Sequence, residues 1–210
     1  MKTILFDLDG TLIDSPPWIL KSFQKTFNQF LPSVKLDEQT LTNFLGQTLW
    51  QTFNAYTNDI KLVDEMIAYY RKTSDDLISK HLKAYPNAKK TIRYLKSKGC
   101  HIGVVTSKLN DVAERHLKLC DLFDDIDVLI GYDDVSHHKP HPDSIYKAIA
   151  YFKSSKEQTI YIGDHENDIK AANNAGILSC AVTYSIRLKE MLVEQPTYVI
   201  DEIKNLEDLV

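Results

Sequence analysis

Residues 3–12, Thr3-Ile4-Leu5-Phe6-Asp7-Leu8-Asp9-Gly10-Thr11-Leu12, set a short apolar run directly ahead of two acids, a glycine and a hydroxyl. An apolar run of this length with no alternation, here Thr3–Leu8, predicts a strand buried on both faces. Runs of the same kind recur at His101–Val105, Ile126–Ile130, Thr159–Ile162 and Leu178–Val182, with a weaker one at Tyr198–Ile200. Stretches with helical spacing lie between them: Asn87–Lys98 followed by Gly99, Asp111–Leu119, Pro142–Phe152, and Asp168–Ala175 closed by Gly176. Glycine after the last helical residue suits a left-handed C-terminal turn.

Strands alternating with helices predict an α/β protein with a Rossmann-like parallel sheet covered on both faces. One interval breaks the rhythm. From Leu8 to His101 is far too long for a single crossover helix, and about Ser15 to Leu82 contains no convincing strand. Helical stretches are expected near Pro17–Phe30, Asp37–Leu45 and Ile60–His81, the last with Ile60, Val63, Ile67, Tyr70, Leu77 and Ile78 mostly on one face. Pro16-Pro17 and Tyr85-Pro86 punctuate the ends. The expected organisation is a core of residues 1–14 and 83–210 interrupted by an all-helical domain at 15–82.

A hydrophobic fraction of 43% and a charged fraction of 26% in 210 residues allow a core of ordinary size. The net charge of −4 offers no electrostatic footprint for nucleic acid. No window approaches the roughly 18 apolar residues that span a membrane. The amino terminus reaches Asp7 too soon for a secretory signal, and Cys100, Cys120 and Cys180 show no metal-type spacing. These features predict a cytoplasmic protein with reduced thiols; oligomeric state has no signature in the sequence.

Polar clusters fall just beyond four expected strands: Asp7–Thr11, Thr106-Ser107, Lys139-Pro140 and Gly163–Asp168. In an open parallel sheet, ligands bind at the carboxyl ends of the strands, so topology alone would gather these residues. Carboxylates, hydroxyls and one ammonium suit a hard cation beside a phosphate. Taken singly, Asp7 or Asp9 could cap a turn, Thr106 and Ser107 could cap the next helix, Lys139 could be a surface lysine and Asp168 an N-terminal cap. Two acids flanking an apolar residue at a buried strand end are nonetheless costly without a cation or other partner.

Asp7-Leu8-Asp9-Gly10-Thr11-Leu12 resembles the first motif of haloacid dehalogenase (HAD) phosphatases. Thr106 resembles the hydroxyl of the second motif, Lys139 the lysine of the third, and Gly163-Asp164 with Asp168 the acidic fourth. The helical insert is similar to the family's small cap domain, and the whole is closest to phosphoglycolate phosphatase-like members. The resemblance implies a Mg²⁺-dependent phosphatase acting on a small phosphorylated metabolite such as phosphoglycolate, pyrophosphate, a nucleotide or a sugar phosphate. It implies Asp7 as the nucleophile that becomes an aspartyl-phosphate and Asp9 as acid and base. Asp7, the Asp9 backbone carbonyl, Asp164 and Asp168 would serve the metal, and Thr106, Ser107 and Lys139 the phosphate.

His165 stands where many relatives have Ser or Thr and is expected to be a solvated loop residue. His137-His138-Lys139-Pro140-His141 could be a metal tract, but the lysine-proline match explains its centre, so its histidines are read as an exposed loop. In the insert, Leu45-Gly46-Gln47-Thr48-Leu49 resembles the family's cap loop, making Gly46 and Gln47 candidates for specificity, with a plain turn as the alternative. Arg71, after Tyr69-Tyr70, is a further candidate for gripping an anion, although an aromatic helix face also suits a core. Rival readings are a phosphomutase of the same superfamily, akin to those acting on hexose phosphate, and a non-catalytic phosphate- or metal-binding module.

Overall fold

The computed structural model describes residues 2–210, which divide into two compact units, residues 2–14 with 83–210 and Ser15–Leu82. The first unit is built on six parallel strands: β1 (Thr3–Phe6), β2 (His101–Val105), β3 (Val128–Ile130), β4 (Thr159–Gly163), β5 (Leu178–Val182) and β6 (Tyr198–Ile200). Their order is β3-β2-β1-β4-β5-β6, every pair parallel. The apolar runs become strands because each is covered on both faces; every residue of β1 and of β4 is buried. Thr3 pairs with His101 on one side and Thr159 on the other, so β1 is central. The direction of winding reverses at β1 and β4, which opens a crevice at their carboxyl ends.

Two strands are shorter than the apolar runs suggested. β1 stops at Phe6 because the chain turns there, with the Leu8 carbonyl accepting from the N–H groups of Leu12 and Ile13. β3 starts at Val128 because Asp127 is engaged locally, its carboxylate accepting from the Ile102 N–H at 2.8 Å and from Lys96.

Helices α5 (Ala88–Ser97), α6 (Asn110–Leu119), α7 (Asp143–Phe152) and α8 (Glu166–Ala175) belong to the same unit, as does the short α9 (Leu188–Val193). One core joins sheet to helix: Leu5, Val105, Ile130 and Tyr161 pack with Ile145 and Ala148 of α7 and Ala171, Ala172 and Ala175 of α8. The ends of the interruption meet within this unit. Ile13 bridges Ala84 in antiparallel fashion, the Asp14 N–H donates to the Lys83 carbonyl at 2.9 Å, and the Tyr85 N–H donates to the Leu12 carbonyl at 2.9 Å.

The second unit is all helical: α1 (Pro16–Phe30), α2 (Glu38–Thr42), α3 (Leu49–Asn54) and α4 (Ile60–His81). Phe23, Phe27, Phe44, Phe53, Val63, Met66 and Tyr70 form its core. Fully burying one such aromatic side chain contributes roughly 1.5–3 kcal/mol. Trp18 near the start of α1 stacks on His81 at the end of α4, their ring centroids 4.3 Å apart. One expectation is corrected: Ile60 is 65% exposed, because it begins the helix beside the capping Asp59, and Met66 takes the buried face instead. Helix α3 follows Thr48 and is started by reciprocal hydrogen bonds between Thr48 and Gln51. Among the described residues no helix is long and apolar enough to cross a membrane.

Candidate active site

Asp7 leaves the end of the central strand, its N–H still held by the Ile162 carbonyl of β4 at 2.8 Å. Its carboxylate is buried, and the Lys139 ammonium donates to it at 2.7 Å. The same ammonium donates to Asp168 Oδ1 at 2.7 Å and to the Tyr161 hydroxyl oxygen at 2.9 Å, while the Tyr161 O–H donates to the Val105 carbonyl at 2.7 Å. Lys139 arrives from the segment after β3, so three elements converge on its Nζ.

Asp164 follows β4 and also lies in this cluster. One oxygen each from Asp7, Asp164 and Asp168 lie within 4.8 Å of one another. Two close backbone approaches make the cluster possible. Gly10 holds φ at +79°, and a Cβ there would sit 2.0 Å from Asp164 Oδ2. A Cβ on Gly163 would come within 2.3 Å of the Asp168 side chain. Only glycine tolerates both demands at position 10. The Ser185 hydroxyl, donating to the Asp164 carbonyl at 2.5 Å, and the Tyr184 hydroxyl, donating to the Thr11 carbonyl at 2.8 Å, fix the surrounding loops.

The electrostatics show a site short of positive charge. Burial pushes the Asp7 carboxyl up to about 7, against the pull of the Lys139 ammonium. Burial, then neighbouring Asp7 and Asp168, drives Asp164 well above the carboxylate range. Burial also works against the Lys139 charge, but Asp168 and Asp7 more than offset it and hold the ammonium well above its ordinary value. Three carboxylates facing one ammonium would keep two charges uncompensated if all were ionised. A divalent cation reverses that balance, and an oxygen-only donor set fits a hard ion such as Mg²⁺.

Asp9 lies outside that knot, its carboxylate 2.8 Å from Lys108 Nζ. Thr106 directly follows β2 and is buried, its Oγ1 accepting from the Lys108 N–H at 3.3 Å, whereas Ser107 is exposed. Gly46, Gln47 and Arg71 belong to the helical unit and are exposed within it. The Gln47 side chain is already engaged there, donating to the Asn43 carbonyl at 2.7 Å and accepting from Thr52 Oγ1 at 3.2 Å.

His165 is not a solvated loop residue. It starts α8, its Nδ1 accepting from the Asn167 N–H at 3.1 Å while Asp168 Oδ2 accepts from the His165 N–H at 3.0 Å. It supplies an acceptor where a hydroxyl would, and burial pulls its pKa down, which keeps the ring neutral for that role. Arg187 pairs with the adjacent Glu166 through two hydrogen bonds of 2.7 and 2.6 Å. Lys108, Tyr161, Tyr184, Ser185 and Arg187 were not singled out from the sequence. Lys108 alone offered a signal, as a lysine next to the Thr106-Ser107 pair.

Sequence comparison gives the geometry a family. The profile of the haloacid dehalogenase-like hydrolases matches residues 4–182, and the chain belongs to that family. It is 35% identical over 207 residues to pyrophosphatase PpaX of Bacillus mycoides, covering 98% of this chain and 95% of that protein. Among solved structures, a chain assigned to the haloacid dehalogenase-like hydrolases from Bacteroides fragilis superposes with a TM-score of 0.87 at 27% identity, covering 98% of this chain and 99% of that one. A haloacid dehalogenase-like family hydrolase from Streptococcus pneumoniae gives a TM-score of 0.83 at 27% identity over 100% and 97%.

Proposed function

We propose that this haloacid dehalogenase-like hydrolase is a Mg²⁺-dependent phosphatase that transfers a phosphoryl group from a small phosphorylated compound to Asp7 and then to water. The observation that carries the reading is the carboxylate of Asp7 at the end of the central strand, with Lys139 Nζ 2.7 Å away and Asp164 and Asp168 beside it. Asp7, Asp164, Asp168 and the Asp9 backbone carbonyl would hold Mg²⁺, which neutralises charge between an anionic nucleophile and an anionic phosphate. At about 4 Å and an effective dielectric near 20, each pair of like unit charges repels by roughly 4 kcal/mol.

In the first step an Asp7 carboxylate oxygen forms a bond to phosphorus as the bond to the leaving oxygen breaks, and Asp9 gives that oxygen a proton. In the second, Asp9 takes a proton from water, the water oxygen attacks phosphorus, and the Asp7–phosphorus bond breaks to release inorganic phosphate. Splitting one displacement into two is the gain of a covalent intermediate, and the proton transfers contribute about 10²–10⁴ in rate. Lys139, Thr106 and Ser107 would steady phosphate oxygens, and Gly46, Gln47 and Arg71 are the proposed specificity positions. The helical unit at 15–82 would be the cap domain, and the protein would act in the cytoplasm.

The relatives named pyrophosphatase shift the leading substrate from a phosphomonoester to the phosphoanhydride of inorganic pyrophosphate. The test is phosphate release from pyrophosphate and a panel of small phosphomonoesters, with Mg²⁺ or EDTA, and with Asp7→Asn as control. Release that needs both Mg²⁺ and Asp7 is expected, with pyrophosphate first in kcat/KM. Release unaffected by Asp7→Asn would overturn the mechanism. A sugar monophosphate isomerised without phosphate release would replace hydrolysis with mutase chemistry.

A further inference from the structure

Ahead of α7, a second group of potential ligands stands apart in kind from the carboxylate cluster. His137 Nδ1 lies 2.9 Å from one oxygen of Asp143, and His141 Nδ1 lies 3.0 Å from the other. The two imidazole rings tilt at 38° with centroids 4.7 Å apart. One ligand atom from each of His137, His141 and Asp143 lies within 4.8 Å of the others. Both histidines are exposed and Asp143 is half-buried, so a hydrated ion can reach all three. His138, although adjacent in sequence, is turned to a different task and stacks on Tyr132 at 3.7 Å.

We propose that His137, His141 and Asp143 form a binding site for a late first-row divalent metal ion, with Zn²⁺ as its natural probe. The argument begins with why three side chains on one short segment converge. A surface carboxylate gains little from a single imidazole, yet here each oxygen of one carboxylate holds its own ring. Shifting the proton of each neutral ring from Nδ1 to Nε2 frees a lone pair at Nδ1 without net loss of a proton. One divalent ion can then take the place of the two ring–carboxylate contacts, with the Asp143 carboxylate to carry part of its charge.

The donor types decide which ion. Two imidazole nitrogens and one carboxylate oxygen suit Zn²⁺ and its neighbours in the series, whereas Mg²⁺ favours oxygen donors and dehydrates reluctantly. The oxygen-only cluster at Asp7, Asp164 and Asp168 has the opposite preference. Three protein ligands would leave a further position for water. Asp143 is the first residue of α7, so the helix already fixes one ligand's backbone and lowers the ordering cost of binding. The other two ligands bracket Lys139, whose ammonium is held by Asp7 and Asp168. A bound ion would therefore clamp the segment from which Lys139 reaches the carboxylates.

The site does not depend on the phosphatase reading, and a binding measurement tests it without turnover. Zn²⁺ is titrated calorimetrically into the full chain carrying Asp7→Asn, which weakens the carboxylate cluster, and into the same chain with His137→Ala or His141→Ala added. Co²⁺ absorption reports the ligand set. Loss of an outer partner of a metal ligand costs about 10–100-fold in affinity, so loss of a ligand should cost at least about tenfold. One Zn²⁺ per chain in the Asp7→Asn background, weakened by that factor in each histidine variant, is the expected result. Equal affinity with and without the histidines, or no binding tighter than about 1 mM, would overturn the proposal. Both histidines are exposed, so the variants should fold; His137→Asn and His141→Asn provide a second pair that preserves side-chain polarity.

Discussion

Lys108 Nζ lies 2.8 Å from a carboxylate oxygen of Asp9, and the two side chains are only 15% and 22% exposed. The lysine comes from the loop after β2 and the aspartate from the loop after β1, so adjacent strands fix their meeting. Under the proposed mechanism Asp9 must present its carboxyl to the leaving oxygen, and Lys108 becomes a positioning residue for it. Replacing Lys108 by Met should lower kcat by up to about 100-fold, the loss that a displacement near 1 Å can cause. Lys108→Arg should recover part of the loss. Steady-state kinetics on pyrophosphate at saturating Mg²⁺ provides the check, and an unchanged kcat in the Met variant would remove Lys108 from the account.

Gly10→Ala should damage both stability and metal affinity. A left-handed backbone conformation costs a residue with a Cβ about 1–2 kcal/mol, and that Cβ would meet Asp164 Oδ2 at 2.0 Å. Asp164 must then move out of the carboxylate cluster. Urea unfolding with and without Mg²⁺ separates the effects: the variant should be less stable without the ion and should gain less from its addition. A full Mg²⁺ gain would count against Asp164 as a ligand.

Tyr161→Phe isolates one hydrogen-bonding atom. The hydroxyl donates to the Val105 carbonyl and accepts from Lys139 inside the sheet core. Its removal leaves a buried carbonyl without this donor and should cost about 1–3 kcal/mol in chemical denaturation. KM should rise if Lys139 also loses its aim toward phosphate.

His116 makes stability depend on pH. Its ring is buried in α6, burial pulls its pKa down to about 4, and its Nδ1 has no hydrogen-bond partner among the described residues. The unfolded chain binds a proton near pH 6.5 that the folded chain refuses until about 4. The unfolded state therefore holds more protons in that window, and stability falls as pH drops through it. The expected loss by pH 4 is of order 2–3 kcal/mol. His116→Leu should flatten that part of the curve in unfolding measurements from pH 7 to 4; an unaltered slope would assign the loss to other groups.

The strands were legible because burial on both faces leaves an unbroken apolar run, and all six runs became neighbours in one sheet. Strand-end reasoning also anticipated the meeting of Asp7, Lys139, Asp164 and Asp168. The short helices α3 and α9 escaped notice because six residues are fewer than two turns, too few to show a period. Tyr161 was hidden by its own strand, where a tyrosine reads as packing until the geometry shows its hydroxyl between Lys139 and Val105. His165 was misread because imidazole is an unusual N-terminal cap. Asp143 carried no signal toward His137 and His141, since their convergence depends on how the chain turns into α7.

The antiparallel contact of Ile13 with Ala84 has a consequence for the order of folding. Closing β1 onto β2 sets Thr3 beside His101 across an interval that contains the 68 residues of the helical unit. Helical contacts are local and form quickly, whereas parallel pairing waits on distant chain. Once α1 and α4 have drawn Trp18 against His81, those 68 residues no longer count as slack. The remaining search is shorter, and its closure entropy falls by about 1 kcal/mol. The interruption that most separates the central strands in sequence thus becomes, when it folds early, the means of bringing them together.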